Sequence, residues 1–202
     1  MFFTTSQKIV LASGNAGKIK EIQSILASHP IVPQSEFHVP DAEETGSTFV
    51  ENAILKARNA SLHCGMPAIA DDSGLVVDAL DGAPGVISAR YAGEGSTDRA
   101  NLEKLLHDLE GVPDNRRGAR FICVIVFMQH AKDPFPLIAQ GVWEGRILTN
   151  PVGTNGFGYD PVFWVPERSC SSAELPAEIK NSLSHRGQAL ATLKAQIKAR
   201  EK

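Results

Sequence analysis

Two adjacent carboxylates, Asp71 and Asp72, follow the apolar run Pro67-Ala68-Ile69-Ala70 and precede Ser73-Gly74-Leu75. A buried strand ending in a tight turn would write this pattern. It would set both acids at the strand's carboxyl end, where open α/β sheets bind ligands. Side chains alternate faces along a strand, so the two acids are expected to point opposite ways. One could then reach a cleft while the other caps backbone groups of the turn. Two acids that merely make a turn would look the same in isolation.

Other groups that could handle a polyanion lie far away in the chain. Ser13-Gly14-Asn15-Ala16-Gly17-Lys18 separates the apolar strand Ile9–Ala12 from Ile19, Ile22, Ile25 and Leu26 at helical spacing. Strand, glycine-bearing loop and helix start make an anion cradle of backbone N–H groups, to which Lys18 adds a full charge. It is not a P-loop, since the glycines are too close together and Ile19 stands where Ser or Thr would hold magnesium. A plain strand-to-helix turn with Lys18 in solvent is the other reading. Asp41-Ala42-Glu43-Glu44 could complement a helix N-terminus or, as oxygen donors, hold a hard cation. The next helix opens at Thr48 with Glu51 completing a capping box and ends at Gly65. Its apolar stripe is Phe49, Ala53, Ala57 and Ala60. Lys56 lies on the margin, where a lysine either snorkels to water or overlooks the Asp71-Asp72 strand.

In the second half, glycines alternate with aromatics through Phe157-Gly158-Tyr159-Asp160. Such a stretch can form a platform under a flat ring, with Asp160 near for a polar contact, or be an ordinary loop. Lys180 sits in a short helix. His185 and Arg186 follow Ser184 at the start of the last helix, where positive charge is electrostatically out of place and calls for a compensating acceptor.

The elements between are ordinary. The chain of 202 residues carries a net charge of −3, so nothing global draws it to nucleic acid or an anionic membrane. No apolar run reaches membrane-spanning length. Met1 to Gln7 lacks the basic start and apolar core of a signal peptide. The three cysteines form no CxxC pair and read as buried residues in a reducing compartment. A soluble, cytoplasmic protein is expected. The pattern predicts a strand over Leu75–Leu80, a turn over Asp81–Gly85, a helix over Thr97–Leu109 and a central strand over Ala119–Phe127. Asn115-Arg116-Arg117 reads as a solvated loop, and Leu137–Trp143 with Gly145–Leu148 as a hairpin.

Eight motifs in register carry a resemblance: Ser-Gly-Asn-x-Gly-Lys (13–18), Glu-Glu-Thr-Gly (43–46), Phe-x-Glu-Asn-Ala-x-x-Lys-Ala (49–57), Asp-Asp-Ser-Gly-Leu (71–75), Gly-Ala-Pro-Gly (82–85), Ser-Ala-Arg-Tyr (88–91), Phe-Gly-Tyr-Asp-Pro (157–161) and Ser-His-Arg-Gly (184–187). Together they resemble the inosine/xanthosine triphosphate pyrophosphatases, over all but the first few residues. Ser13 replaces the Thr more usual there. The resemblance implies one α/β domain over 1–202, a mixed sheet flanked by helices in two lobes with the active-site cleft between them. It implies hydrolysis of ITP, dITP or XTP to the monophosphate and pyrophosphate, a magnesium cofactor and a homodimer. Ser13, Gly14, Asn15, Ala16, Gly17 and Lys18 would hold the triphosphate, with Lys56 and Lys180 adding charge. Glu43 and Asp72 would sit at the metal, with Glu44 nearby. Asp72 would be the general base, and Ser73 would touch substrate. Phe157, Gly158, Tyr159, Asp160, His185 and Arg186 would enclose the base. Pyrimidine nucleotide pyrophosphatases of similar architecture, and a non-catalytic nucleotide-binding regulator, are the competing classes.

Overall fold

The computed structural model describes residues 7–27 and 29–200; the leader reading of the first residues falls largely outside that range. The elements are β1 (Ile9–Leu11), α1 (Ala16–Ile25), β2 (Ile31–Pro33), α2 (Phe49–Cys64), β3 (Ala68–Val77), α3 (Asp98–Asp108), β4 (Gly118–Met128), β5 (Leu137–Ile147), β6 (Phe163–Val165), β7 (Cys170–Ser171), α4 (Ala177–Leu183) and α5 (His185–Arg200). The described strands make a seven-stranded mixed sheet in the order β2-β1-β3-β4-β5-β6-β7. β1 pairs in parallel with β2 and with β3, and β6 pairs antiparallel with β5 and β7.

The chain forms two compact units: Met1–Asp72, Cys123–Gly141 and Arg186–Lys202 in the first, Ser73–Ile122 and Val142–His185 in the second. In the first, Ile9 and Leu11 of β1, Ile22 and Leu26 from α1 and its end, and Ile69 pack with Cys123, Ile125 and Phe127 of β4 and Leu190, Leu193 and Ile197 of α5. These are the helical and strand periodicities that bury one stripe each. In the second, Leu75 and Val77 join Leu102 and Leu105 of α3, Phe121, Trp143 and Phe163. Phe121 and Phe163 lie 4.5 Å apart between centroids, a tilted aromatic pair.

Three expectations are corrected. Ser73-Gly74 makes no turn: β3 runs unbroken from Ala68 to Val77, and a short 3₁₀ turn over Asp78–Leu80 ends it. Pairing overrides the local turn tendency of Asp-Ser-Gly, as sheet context commonly does. The hairpin at 137–148 is one strand, β5, with Gly141 and Gly145 inside it. Gly145 serves close approach, since a Cβ there would lie 2.5 Å from the Trp164 carbonyl oxygen and 2.6 Å from the Phe163 ring. Arg117 is no solvated loop residue. It is buried and donates to the carbonyls of Val112, Leu148 and Leu109, the last at 2.8 Å.

Gly145→Ala should therefore destabilise the protein by about 1–3 kcal/mol, because the added methyl meets backbone that cannot rotate away. Thermal melting checks this, and an unchanged melting temperature would mean that β6 yields easily.

Candidate active site

In the first unit the chemistry begins where β1 stops. Leu11 is opposite Ile69 of β3, and the Ala12 N–H donates to the Ile69 carbonyl at 2.8 Å. β1 then leaves the sheet through Ser13, Gly14 and Asn15, while β3 continues into Asp71 and Asp72. The two acids thus lie beyond the end of β1, with α1 starting beside them. Asn15 caps α1, its side chain accepting the Lys18 N–H at 3.0 Å. Gly14, Asn15 and Ala16 are exposed, and the first turn of α1 carries no acid. That leaves an open N-terminus suited to an anion.

Asp71 is 1% exposed. Lys18 Nζ lies 3.0 Å from its Oδ2, and the Arg186 guanidinium 3.4 Å from the same oxygen. Arg186 also pairs with Glu21 of α1. Burial alone would raise the Asp71 pKa, but Lys18, Arg186 and Lys56 outweigh it and hold the carboxyl well below its usual value of 3.8. The stability this contributes is present above pH 3.8 and is lost as pH falls toward the folded value. Asp71→Asn should flatten the acid side of melting temperature against pH, whereas a wild-type slope would place the acid-sensitive charge elsewhere.

Asp72, one residue on, faces the other way, as strand alternation requires. Lys56 Nζ reaches its Oδ1 at 2.7 Å and Glu44 Oε1 at 3.0 Å. Lys56 does not snorkel; its side chain is 14% exposed. Asn52, one helical turn earlier and buried, puts its amide 3.5 Å from Asp72 Oδ2 and accepts the Gly46 N–H at 2.8 Å. Burial raises the Asp72 pKa despite the opposing Lys56 charge, and Glu44 adds to the rise. Lys56 is held charged: burial would lower its pKa, but Asp72, Asp71 and Glu44 prevail.

In the second unit Asp160 is the hub. Its Oδ2 accepts from Lys180 Nζ at 2.6 Å and from the Phe157 N–H at 2.8 Å, and its Oδ1 from the Ser172 hydroxyl at 2.9 Å. Lys180 Nζ also lies 4.9 Å from the Phe157 ring centroid. Gly156 has φ +77, and a Cβ there would fall 2.0 Å from Asp160 Oδ2, so only glycine lets the loop close over this carboxylate. Tyr159 is buried and donates its hydroxyl to the Ser88 carbonyl at 2.7 Å. The His185 ring stacks on Phe121 at 4.8 Å and 12°.

Of the residues expected at the site, Lys18 meets Asp71, and Lys56 and Glu44 come together beside Asp72 on the opposite face, with Arg186 behind Asp71. Ser73 is half-buried on β3 directly after Asp72. Several placements differ from expectation. Asp71 caps no turn, because none follows it. Glu43 is exposed, and it is Glu44 that pairs with Lys56. Arg186 finds its compensating acceptors within the protein, in Glu21 and Asp71. Lys180 has its charge matched by Asp160. Tyr159 turns its ring into the core. Glu21 and Ser172 went unnoticed in the sequence, while Asn52 and Ser88 stood in the motifs without a role. Only Glu21 had a local sign, three residues after Lys18 on the same face of α1.

The described residues contain no ready-made group of three or more acid, His or Cys ligands. Asp72 and Glu44 nonetheless offer two oxygen donors around one ammonium, a charge balance that suits a hard divalent cation such as magnesium. No described helix is long and apolar enough to cross a membrane.

Comparison with known proteins shows the family and the fold. The dITP/XTP pyrophosphatase of Photobacterium profundum is 60% identical over 193 residues, covering 95% of this chain and 98% of that one. That of Vibrio cholerae is 59% identical over 189 residues, covering 93% and 94%. A Ham1 protein from Coxiella burnetii superposes with a TM-score of 0.89 at 53% identity, covering 96% of this chain and 99% of its own. One from Staphylococcus aureus gives 0.86 at 43%, covering 96% and 99%. The Ham1 family model matches residues 9–196, a span from β1 into α5 that holds every group described above, and the chain belongs to that family.

Proposed function

We propose that this protein hydrolyses deaminated purine nucleoside triphosphates (ITP, dITP and XTP) to the monophosphate and pyrophosphate. Cleansing the nucleotide pool in this way keeps aberrant purines out of DNA and RNA. The observation that carries the reading is Asp72: a carboxylate 5% exposed, fixed by Lys56 at 2.7 Å, with a pKa that burial raises. A raised carboxyl is a better proton acceptor than an ordinary one, which is what a water-activating base needs. A regulator that only bound nucleotides would have no use for it.

Asp72 takes a proton from water as that water attacks the α-phosphorus; the α–β bridging oxygen leaves with pyrophosphate. Lys56 orients Asp72 and, with Lys18 and the open N-terminus of α1, faces charge on the phosphate oxygens. Asp71 holds Lys18 in place. Asp72 and Glu44, with Glu43 adjacent, would hold a Mg²⁺ ion, whose charge would neutralise phosphate oxygens. Ser73 is assigned to substrate contact. Phe157 supplies a flat face for the base, Gly158, Asp160, His185 and, by resemblance, Arg186 complete the recognition, and by the same resemblance Lys180 adds charge for the triphosphate. Donors there favour the C6 carbonyl of hypoxanthine or xanthine over the amine of adenine. A cytoplasmic homodimer without nucleic-acid contacts fits the net charge and the family resemblance.

Pyrophosphate release measured with magnesium across ITP, XTP, dITP, GTP, ATP and UTP tests the reading. Preference for the first three is the expected result. Equal rates on UTP and ITP would instead favour a pyrimidine-tolerant enzyme, and tight binding without turnover a regulator.

A further inference from the structure

Ser-Ala-Arg-Tyr at 88–91 has no part in the chemistry above, yet its serine is buried at a junction. The Ser88 hydroxyl accepts the Leu75 N–H of β3 at 2.9 Å and donates to the Gly85 carbonyl at 2.6 Å. The Ser88 carbonyl accepts the Tyr159 hydroxyl at 2.7 Å. One residue therefore holds β3 with its side chain and the Phe157–Asp160 loop with its backbone.

Both ends of this link are themselves fixed. On the loop side, Gly158 N–H donates to Asp98 at 2.8 Å and Phe157 N–H to Asp160 at 2.8 Å. Tyr159 between them is 5% exposed. On the strand side, Leu75 follows Ser73 by two residues and Asp72 by three in one unbroken strand. The segment beyond Ser88 is clamped by buried Asn101, which donates to the Ala89 carbonyl at 3.0 Å and accepts from Ala92 N–H at 2.7 Å and Ser96 at 2.8 Å. A strut pinned at every step passes a displacement along rather than absorbing it.

We infer that Ser88 and Tyr159 form a positioning relay between the base-recognition loop and strand β3, so that a fitting base raises turnover as well as affinity. The inference rests on the pyrophosphatase reading. Tyr159 is then a positioning residue, and its hydroxyl acts through Ser88 rather than on the base. A rigid ring suits that task, since it spans the core with two torsions and loses little entropy.

The test is steady-state kinetics on the magnesium-supplemented full chain for Tyr159→Phe, Ser88→Ala and the double variant, with ITP and ATP, at temperatures where circular dichroism shows each folded. Each single change should lower kcat for ITP by about tenfold, with KM and the ATP rate changed less than about twofold. Because the two contacts act in series, the double variant should fall no further than the worse single. Ser88→Ala carries the test alone should Tyr159→Phe not fold, and Ser88→Thr, which keeps the hydroxyl, should retain the ITP rate. A rise in KM alone for Tyr159→Phe, with Ser88→Ala silent, would mean Tyr159 touches the base and overturns the relay. Equal losses on ITP and ATP would reduce the pair to a structural brace and overturn it too. Wild-type protein without ITP preference would refute the parent reading before any variant is made, and the relay with it.

Discussion

Asp72→Asn should abolish turnover in a protein that still folds. The change keeps the size of the side chain and removes its charge and basicity. A positioned acid–base group contributes about 10²–10⁴-fold, so ITP hydrolysis should fall at least about a hundredfold. Stability should hold, because burial disfavours the charged form of Asp72 and Lys56 keeps Glu44 as a partner at 3.0 Å. The measurement is kcat for ITP alongside a thermal melt. Near wild-type turnover in a folded variant would place the base elsewhere, and Asp71 would be a poor substitute, since its pKa is held low by Lys18, Arg186 and Lys56.

Arg186→Ala should act first on stability. Its guanidinium is 3% exposed and joins Glu21 on α1 to Asp71 on β3. Removing one member of a buried ionic group leaves the others uncompensated, which typically costs about 3–5 kcal/mol. Lys18 remains on Asp71 and softens the loss there. Urea unfolding gives the number. A variant of unchanged stability that loses ITP selectively over ATP would return Arg186 to the base contact that the resemblance implies.

Where local chemistry sets local structure, the sequence was readable. The Thr48–Glu51 capping box and the left-handed Gly65 bound α2 as read from the residues, and Thr97 caps α3. The fully buried β1 and the twice-apolar β4 also followed from pattern. Failures came where a distant segment decides. Ser73-Gly74 looks like a turn until strand pairing carries it straight. Arg117 looks solvated until Leu109, Val112 and Leu148 bring three carbonyls to it. Gly145 looks like the start of a second hairpin strand, yet it lies within one strand with β6 against it. At the site, the motifs located Lys18, Lys56, Asp71 and Asp72, but not which acid each lysine meets. The Arg186–Glu21 pair bridges 165 positions, and no local pattern could announce it.

Single-turnover hydrolysis of ITP in ¹⁸O-labelled water, with the products separated by mass, tests the central claim most directly. Attack by an Asp72-activated water on the α-phosphorus puts one ¹⁸O into inosine monophosphate and none into pyrophosphate. Label in the pyrophosphate, or orthophosphate as the primary product, would contradict it.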